Sequence, residues 1–145
     1  TGIFMIFFLL GFTYYLKEKG ASIKSVWITF IFSFLSAVGI LGLSIFNGDQ
    51  APDMHLLAEY LFFFTGIIYL FLYAAIERKI SDFSKLQVFF NIFVSLFFIL
   101  YLVVIILDKI YPGFAPEFQA FSEWLFLLSY LFWFLENGLY MLKHK

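Results

Sequence analysis

Apolar positions in this chain neither alternate with polar ones nor recur as one stripe of a helix. They run on without interruption. Five such stretches can be read, at about residues 2–16, 25–47, 54–76, 86–108 and 119–142. Short polar segments separate them: "KEKGASIK", "NGDQAPD", "ERKISDFSK" and "DKIYPGFAPEF". An uninterrupted apolar run of about twenty residues is what a helix needs to cross about 30 Å of hydrocarbon. Strands of a membrane barrel would show a two-residue alternation, which is absent. The pattern predicts an all-α fold, a polytopic transmembrane helical bundle of five spans occupying residues 1–145 as a single unit. The first run covers only about 22 Å at 1.5 Å per residue, and the chain opens on Thr1 rather than Met. The expectation is a shortened first span, and six spans with both ends on one side in the intact protein.

Composition agrees with the pattern. Hydrophobic residues make up 63% of the 145, aromatic residues 25% and charged residues 13%. Soluble domains carry about a quarter charged residues, and little polar surface is left here for a helix face to meet water. The net charge of −1 gives no electrostatic footprint for nucleic acid. There is no cysteine, so disulfides and thiolate metal sites are excluded. The first run lacks the basic leader and small-residue cleavage site of a signal peptide.

The charges are unevenly shared between loops. Lys17, Lys19, Lys24, Arg78, Lys79, Lys85, Lys143 and Lys145 fall on one side of a five-span chain, and only Lys109 falls on the other, beside Asp49, Asp53, Asp108 and Glu117. Basic loops stay in the cytoplasm, so this split places the C-terminus inside and Thr1 outside. Asp53 is the expected cap of the third helix, and Ser81 or Asp82 the expected start of the fourth. Trp27, Tyr111, Trp124 and Tyr140 lie near span ends, where amphipathic rings prefer to sit.

Polar and small residues inside the spans are the candidates for chemistry. The second run gathers Ser33, Ser36, Ala37, Gly39 and Gly42. Small residues let helix backbones approach, so Ser33, Ala37, Gly39 and Gly42 read as a packing surface on a helix buried in the bundle. In the third, His55 and Glu59 are four apart and share a face. In the fifth, Glu123 lies at a depth similar to that of Glu59. Carboxylates are costly in hydrocarbon and face a bundle interior or a wet cavity, so His55, Glu59 and Glu123 form a candidate outer-side polar pocket for a headgroup or a cation. Asn91 and Ser95 read as interhelical glue. Glu136, about 140° round the helix from Glu123, belongs to a different face, where Tyr14 or Lys143 would be its partner.

No nucleophile sits beside a base, and no zinc-protease or phosphate-loop motif occurs. One in-span histidine is a poor start for a metal centre, and no proline breaks a span as transporter helices often require. The chain therefore reads as non-enzymatic, with no cofactor and no metal expected beyond bound lipid.

Three segments carry a family likeness: "SAVGILGLSIFN" ending the second span, "HLLAEYLFFFTGIIYLFLYAAI" forming the third, and "AFSEWLFLLSYLFWF" opening the last. With Gly39, His55 and the Glu123–Trp124 pair as anchors, the chain resembles the Frag1/DRAM/Sfk1 family of six-span membrane proteins along nearly its whole length, as the last five spans. It departs at Glu59–Tyr60, where members often have small residues. The resemblance implies an endomembrane or plasma-membrane protein without a settled catalytic activity. Members are linked to autophagy and lysosomes, to GPI-anchor lipid remodelling and to phospholipid organisation. It implies a regulatory or lipid-interacting bundle whose His55 and Glu123 shape an outer-leaflet pocket, with membrane lipids as partners. The alternative is an accessory subunit of a larger respiratory or transport assembly, packing its aromatic surface against partner membrane proteins.

Overall fold

The polar punctuation ends each helix by a local device. Helix α1 (Gly2–Glu18) closes on Gly20, whose φ of 88° suits a residue without a Cβ. Gly20 N–H donates to Lys17 O at 3.1 Å and Ala21 N–H to Leu16 O at 3.0 Å, the paired bonds of a Schellman motif. Helix α2 (Ile23–Ile45) stops where Phe46 turns extended, and α3 (Pro52–Glu77) starts on a proline, which needs no N–H at that position. The N-cap is Ala51 and has no side-chain cap. Asp53 sits in the first turn and does not cap, because the proline sets the start one residue earlier. Helix α4 (Lys85–Ile110) begins after Ser84, not at Ser81 or Asp82. Ser84 and Gln87 bond each other's backbone as a capping box, which satisfies two otherwise orphaned donors. Helix α5 is Pro116–Lys143.

This computed structural model describes residues 2–114 and 116–144. The sequence reading of Thr1 and Lys145, and Ala115 of the last loop, fall outside them. The described residues are all helix and connection, with no strand. Helices α2 to α5 are each long and apolar enough to cross a membrane, and α1 has 17 residues. Each helix runs a little beyond its apolar stretch at most ends, because polar flanks such as Glu77 and Lys85 continue the helical backbone after the hydrophobicity stops.

The helices run up and down. Lys19 Nζ meets Asp82 Oδ2 at 3.1 Å, which brings the α1–α2 and α3–α4 loops to one end. The Tyr140 hydroxyl donates to Asp82 O at 2.6 Å, adding the end of α5. At the opposite end His55 Nδ1 lies 2.7 Å from Phe46 O, and Asp108 Oδ1 accepts from the N–H groups of Gly113 and Phe114 at 3.0 and 3.1 Å. Seven of the described basic residues thus share one end of the molecule, and Lys109 is at the other.

Helix α3 is the centre. It packs against α2 on one side and α4 on the other, with α1 outside α2, α5 outside α4, and α1 touching α5. The small residues of α2 serve that contact. Ser33, Ala37 and Gly39 are buried, and Ser36 donates to Phe62 O at 3.0 Å. A Cβ on Gly39 would lie 2.5 Å from Phe62 N, and one on Gly42 would lie 2.9 Å from Ala58 Cβ. Only one face of α2 is engaged, with Ile31, Phe34, Val38 and Ile45 exposed. The buried central helix is therefore α3: besides α2 and α4, its side chains meet α1 and α5, as Tyr73 with Phe12 and Tyr69 with Tyr130. The core is aromatic: Trp133, Tyr69, Tyr73, Phe12, Phe62, Phe63 and Phe98 are all within 2% of full burial. Rings meet edge-on and offset, as Phe63 with Phe126 at 5.0 Å and 73°, the geometry that ring quadrupoles favour.

Candidate functional site

Two polar clusters lie at opposite ends. The first is at the His55 end. His55 is on the first turn of α3, and its Nδ1 bond to Phe46 O ties the end of α2 to α3. Its other ring nitrogen lies 3.8 Å from Glu59 Oε1, one turn further in. Both side chains are partly exposed, at 32% and 20%. The charges of Lys109 on α4 and Glu123 on α5 reach the Glu59 carboxyl, and those of Glu59 and Glu123 reach the Tyr101 hydroxyl. The structure therefore brings His55 and Glu59 into contact and leaves Glu123 near them without a direct bond. Glu123 is exposed, as is Trp124 at 65%. The arrangement is an open acidic rim across α3, α4 and α5 rather than a closed cavity. Carboxylates so placed are the chemistry that compensates a cation or an ammonium group. No cluster of three metal-type ligands occurs among the described residues.

The second cluster is buried at the basic end and centres on Glu77, which the sequence reading left in a basic loop. Glu77 is the last residue of α3 and is fully buried. Asn91 Nδ2 donates to Glu77 Oε2 at 2.6 Å, and Trp133 Nε1 donates to Asn91 Oδ1 at 2.6 Å. An indole N–H can only donate, so Trp133 fixes which way the Asn91 amide points and aims its N–H at the carboxyl. Asn137 Nδ2 donates to Trp133 O at 2.9 Å. Glu136 lies half-buried beside Gln87, with neither Tyr14 nor Lys143 as its partner, and its charge reaches Glu77. Five atoms of this end are buried without a hydrogen-bond partner: Glu77 Oε1, Gln87 Nε2, Asn137 Oδ1 and the hydroxyls of Tyr15 and Tyr73. Ser95, one turn beyond Asn91, is buried and also lacks a partner. Phe83 of the α3–α4 loop folds over this layer, stacked on Tyr140 at 4.8 Å.

A signal for Glu77 was present in the sequence. Phe62, Gly66, Tyr69, Tyr73 and Glu77 recur every three or four residues and are all buried. The same stripe carries Gly66 against Phe98, where a Cβ would lie 2.5 Å from Cε1. In an all-apolar run the eye finds no such stripe, because the lipid face is as hydrophobic as the core.

No curated protein and no solved structure matches this chain at a significant level. The family model of the Frag1/DRAM/Sfk1/Cwh43P N-terminal domain matches residues 1–136, nearly the whole chain. The chain therefore belongs to that family.

Proposed function

We propose that this protein is a non-enzymatic, lipid-interacting regulatory bundle that holds a cationic lipid headgroup, or a cation, at its acidic rim. The observation that supports this most directly is the His55–Glu59 contact on α3, with the charges of Glu123 and Lys109 within reach. A carboxyl at this depth is costly unless a partner compensates it, and the exposure of Glu123 leaves the rim open to the membrane. Trp124 beside it suits the zone between headgroups and chains. On this reading the rim faces the outer leaflet, the basic end and the C-terminus face the cytoplasm, and bound lipid is the only ligand required.

The test replaces His55, Glu59 and Glu123 together by Gln and compares the lipids retained after extraction into polymer-bounded discs. Loss of amine-bearing lipids with folding intact is the expected result. Unchanged lipid content and stability would remove the reading. The accessory-subunit reading is supported by the exposed aromatic surface, with Phe4 83%, Phe7 70% and Phe132 59% exposed. Recovery only within a large particle of fixed composition would favour it.

A further inference from the structure

The basic end carries a feature that the acidic rim does not need. Between α3 and α4 runs a groove of about 670 Å³. Its apolar floor and walls include Phe71 and Ala75 of α3 and Phe89 and Ile92 of α4, and its rim carries Arg78 and Lys85. The spacing explains the shape. Phe71, Ala75 and Arg78 are three or four apart on α3, and Lys85, Phe89 and Ile92 are likewise on α4. The two antiparallel helices therefore present matching stripes, each with a base at the end and apolar residues below it. The apolar part spans about 10 Å from Lys85 to Ile92 at 1.5 Å per residue. Ala75 has no bulk to fill the space between Phe71 and Phe89, which are 41% and 57% exposed.

The charges of this end are sorted. The α3–α4 connection has two nearby acids, and both are engaged elsewhere. Asp82 pairs with Lys19 across the α1–α2 loop. Glu77 turns inward to Asn91. Arg78 and Lys85 are exposed, and neither makes an ion pair among the described residues. Two uncompensated cations at headgroup level above an apolar slot match one kind of molecule, with a negative phosphate head and a hydrocarbon chain.

We infer that the α3–α4 groove is a binding site for an anionic phospholipid, with the phosphate on Arg78 and Lys85 and an acyl chain lying along Ala75 between Phe71 and Phe89. The site lies at the opposite end from His55, Glu59 and Glu123 and stands without them.

The experiment is native mass spectrometry of the protein released from discs of phosphatidylcholine containing a minor fraction of phosphatidylserine. The wild type is expected to retain phosphatidylserine well above its mole fraction. Arg78→Gln and Lys85→Gln should each lower that retention about fivefold, from ~1 kcal/mol per basic residue near an anionic surface. Ala75→Phe should lower it with the charges intact, by filling the slot. Lys79→Gln, at the same end but outside the groove, and the triple Gln variant of His55, Glu59 and Glu123 should leave it unchanged. The inference fails if phosphatidylserine shows no enrichment, or if Lys79→Gln acts as strongly as Arg78→Gln, which would mean a diffuse surface charge. It also fails if millimolar inorganic phosphate displaces the lipid from the wild type, which would mean a phosphate site with no use for the chain.

Discussion

Asn91 is the residue on which the buried end turns. It donates to Glu77 and to Gln87 O, and it accepts from Trp133. Asn91→Ala removes all three bonds and orphans the buried Trp133 N–H and the second Glu77 oxygen. The expected loss is roughly 2–4 kcal/mol, since each buried polar group left unmade costs about 1–3 kcal/mol. Glu77→Gln is the contrasting case. An amide oxygen in the same place still accepts from Asn91, so stability should change by less than about 1 kcal/mol. Unfolding of both variants by denaturing detergent, followed by helical circular dichroism, measures the difference. Equal losses would mean that the charge of Glu77, and not its hydrogen bond, matters to the fold.

Helix contacts are decided by where side chains are missing. Gly39 lets the backbone of α2 approach that of α3, and the atom a Cβ would strike is Phe62 N, which cannot swing aside. Gly39→Ala must push the helices apart and should cost several times the ~1 kcal/mol that alanine ordinarily gains over glycine in a helix. Gly11 on α1 has nothing within 4 Å of its Cβ position, so Gly11→Ala should be neutral or slightly stabilising. Thermal unfolding in a mild detergent separates the two, and a Gly39→Ala melting point at or above wild type would refute the close-approach account. The start of α4 offers a second element-level test. Ser84→Ala deletes half the capping box and should cost about 1 kcal/mol, visible as faster amide exchange at Lys85–Gln87.

At the scale of the molecule, the two ends differ in charge, and the orientation proposed from that difference is open to a direct test. The chain has no free cysteine among the described residues and none in its sequence, so single cysteines can report each end. Lys79→Cys should react with an impermeant maleimide only after the cytoplasmic face is opened, and Asp49→Cys should react from outside in intact cells. The reverse pattern would invert the orientation, and with it the leaflets assigned to the acidic rim and the α3–α4 groove. Three aromatic helices, α3, α4 and α5, connect those two sites through Phe62, Tyr69, Phe98 and Trp133, all fully or almost fully buried.

Hydrophobic runs, loop charges and a few anchors were enough to identify an all-helical membrane bundle and its family. Their information is local and additive: a run either reaches across hydrocarbon or it does not. Loop chemistry was legible in part. The polar segments mark real helix ends, whereas Asp53 does not cap α3 and Ser84 was passed over for Ser81 and Asp82, because capping depends on where the helix phase begins. His55 and Glu59 were legible as a pair through their spacing of four. Glu123 could be assigned a depth, but its exposure could not be read without knowing how α5 is rotated. The centre of the bundle and the inward turn of Glu77 were decided only by tertiary structure. So were the pairing of Asp82 with Lys19 and the groove beneath Arg78 and Lys85. In a soluble helix, polar residues mark the outer face and the sequence reveals the inner one. Here lipid and core are equally apolar, so rotation about each helix axis leaves little trace in the sequence, and packing between helices sets it.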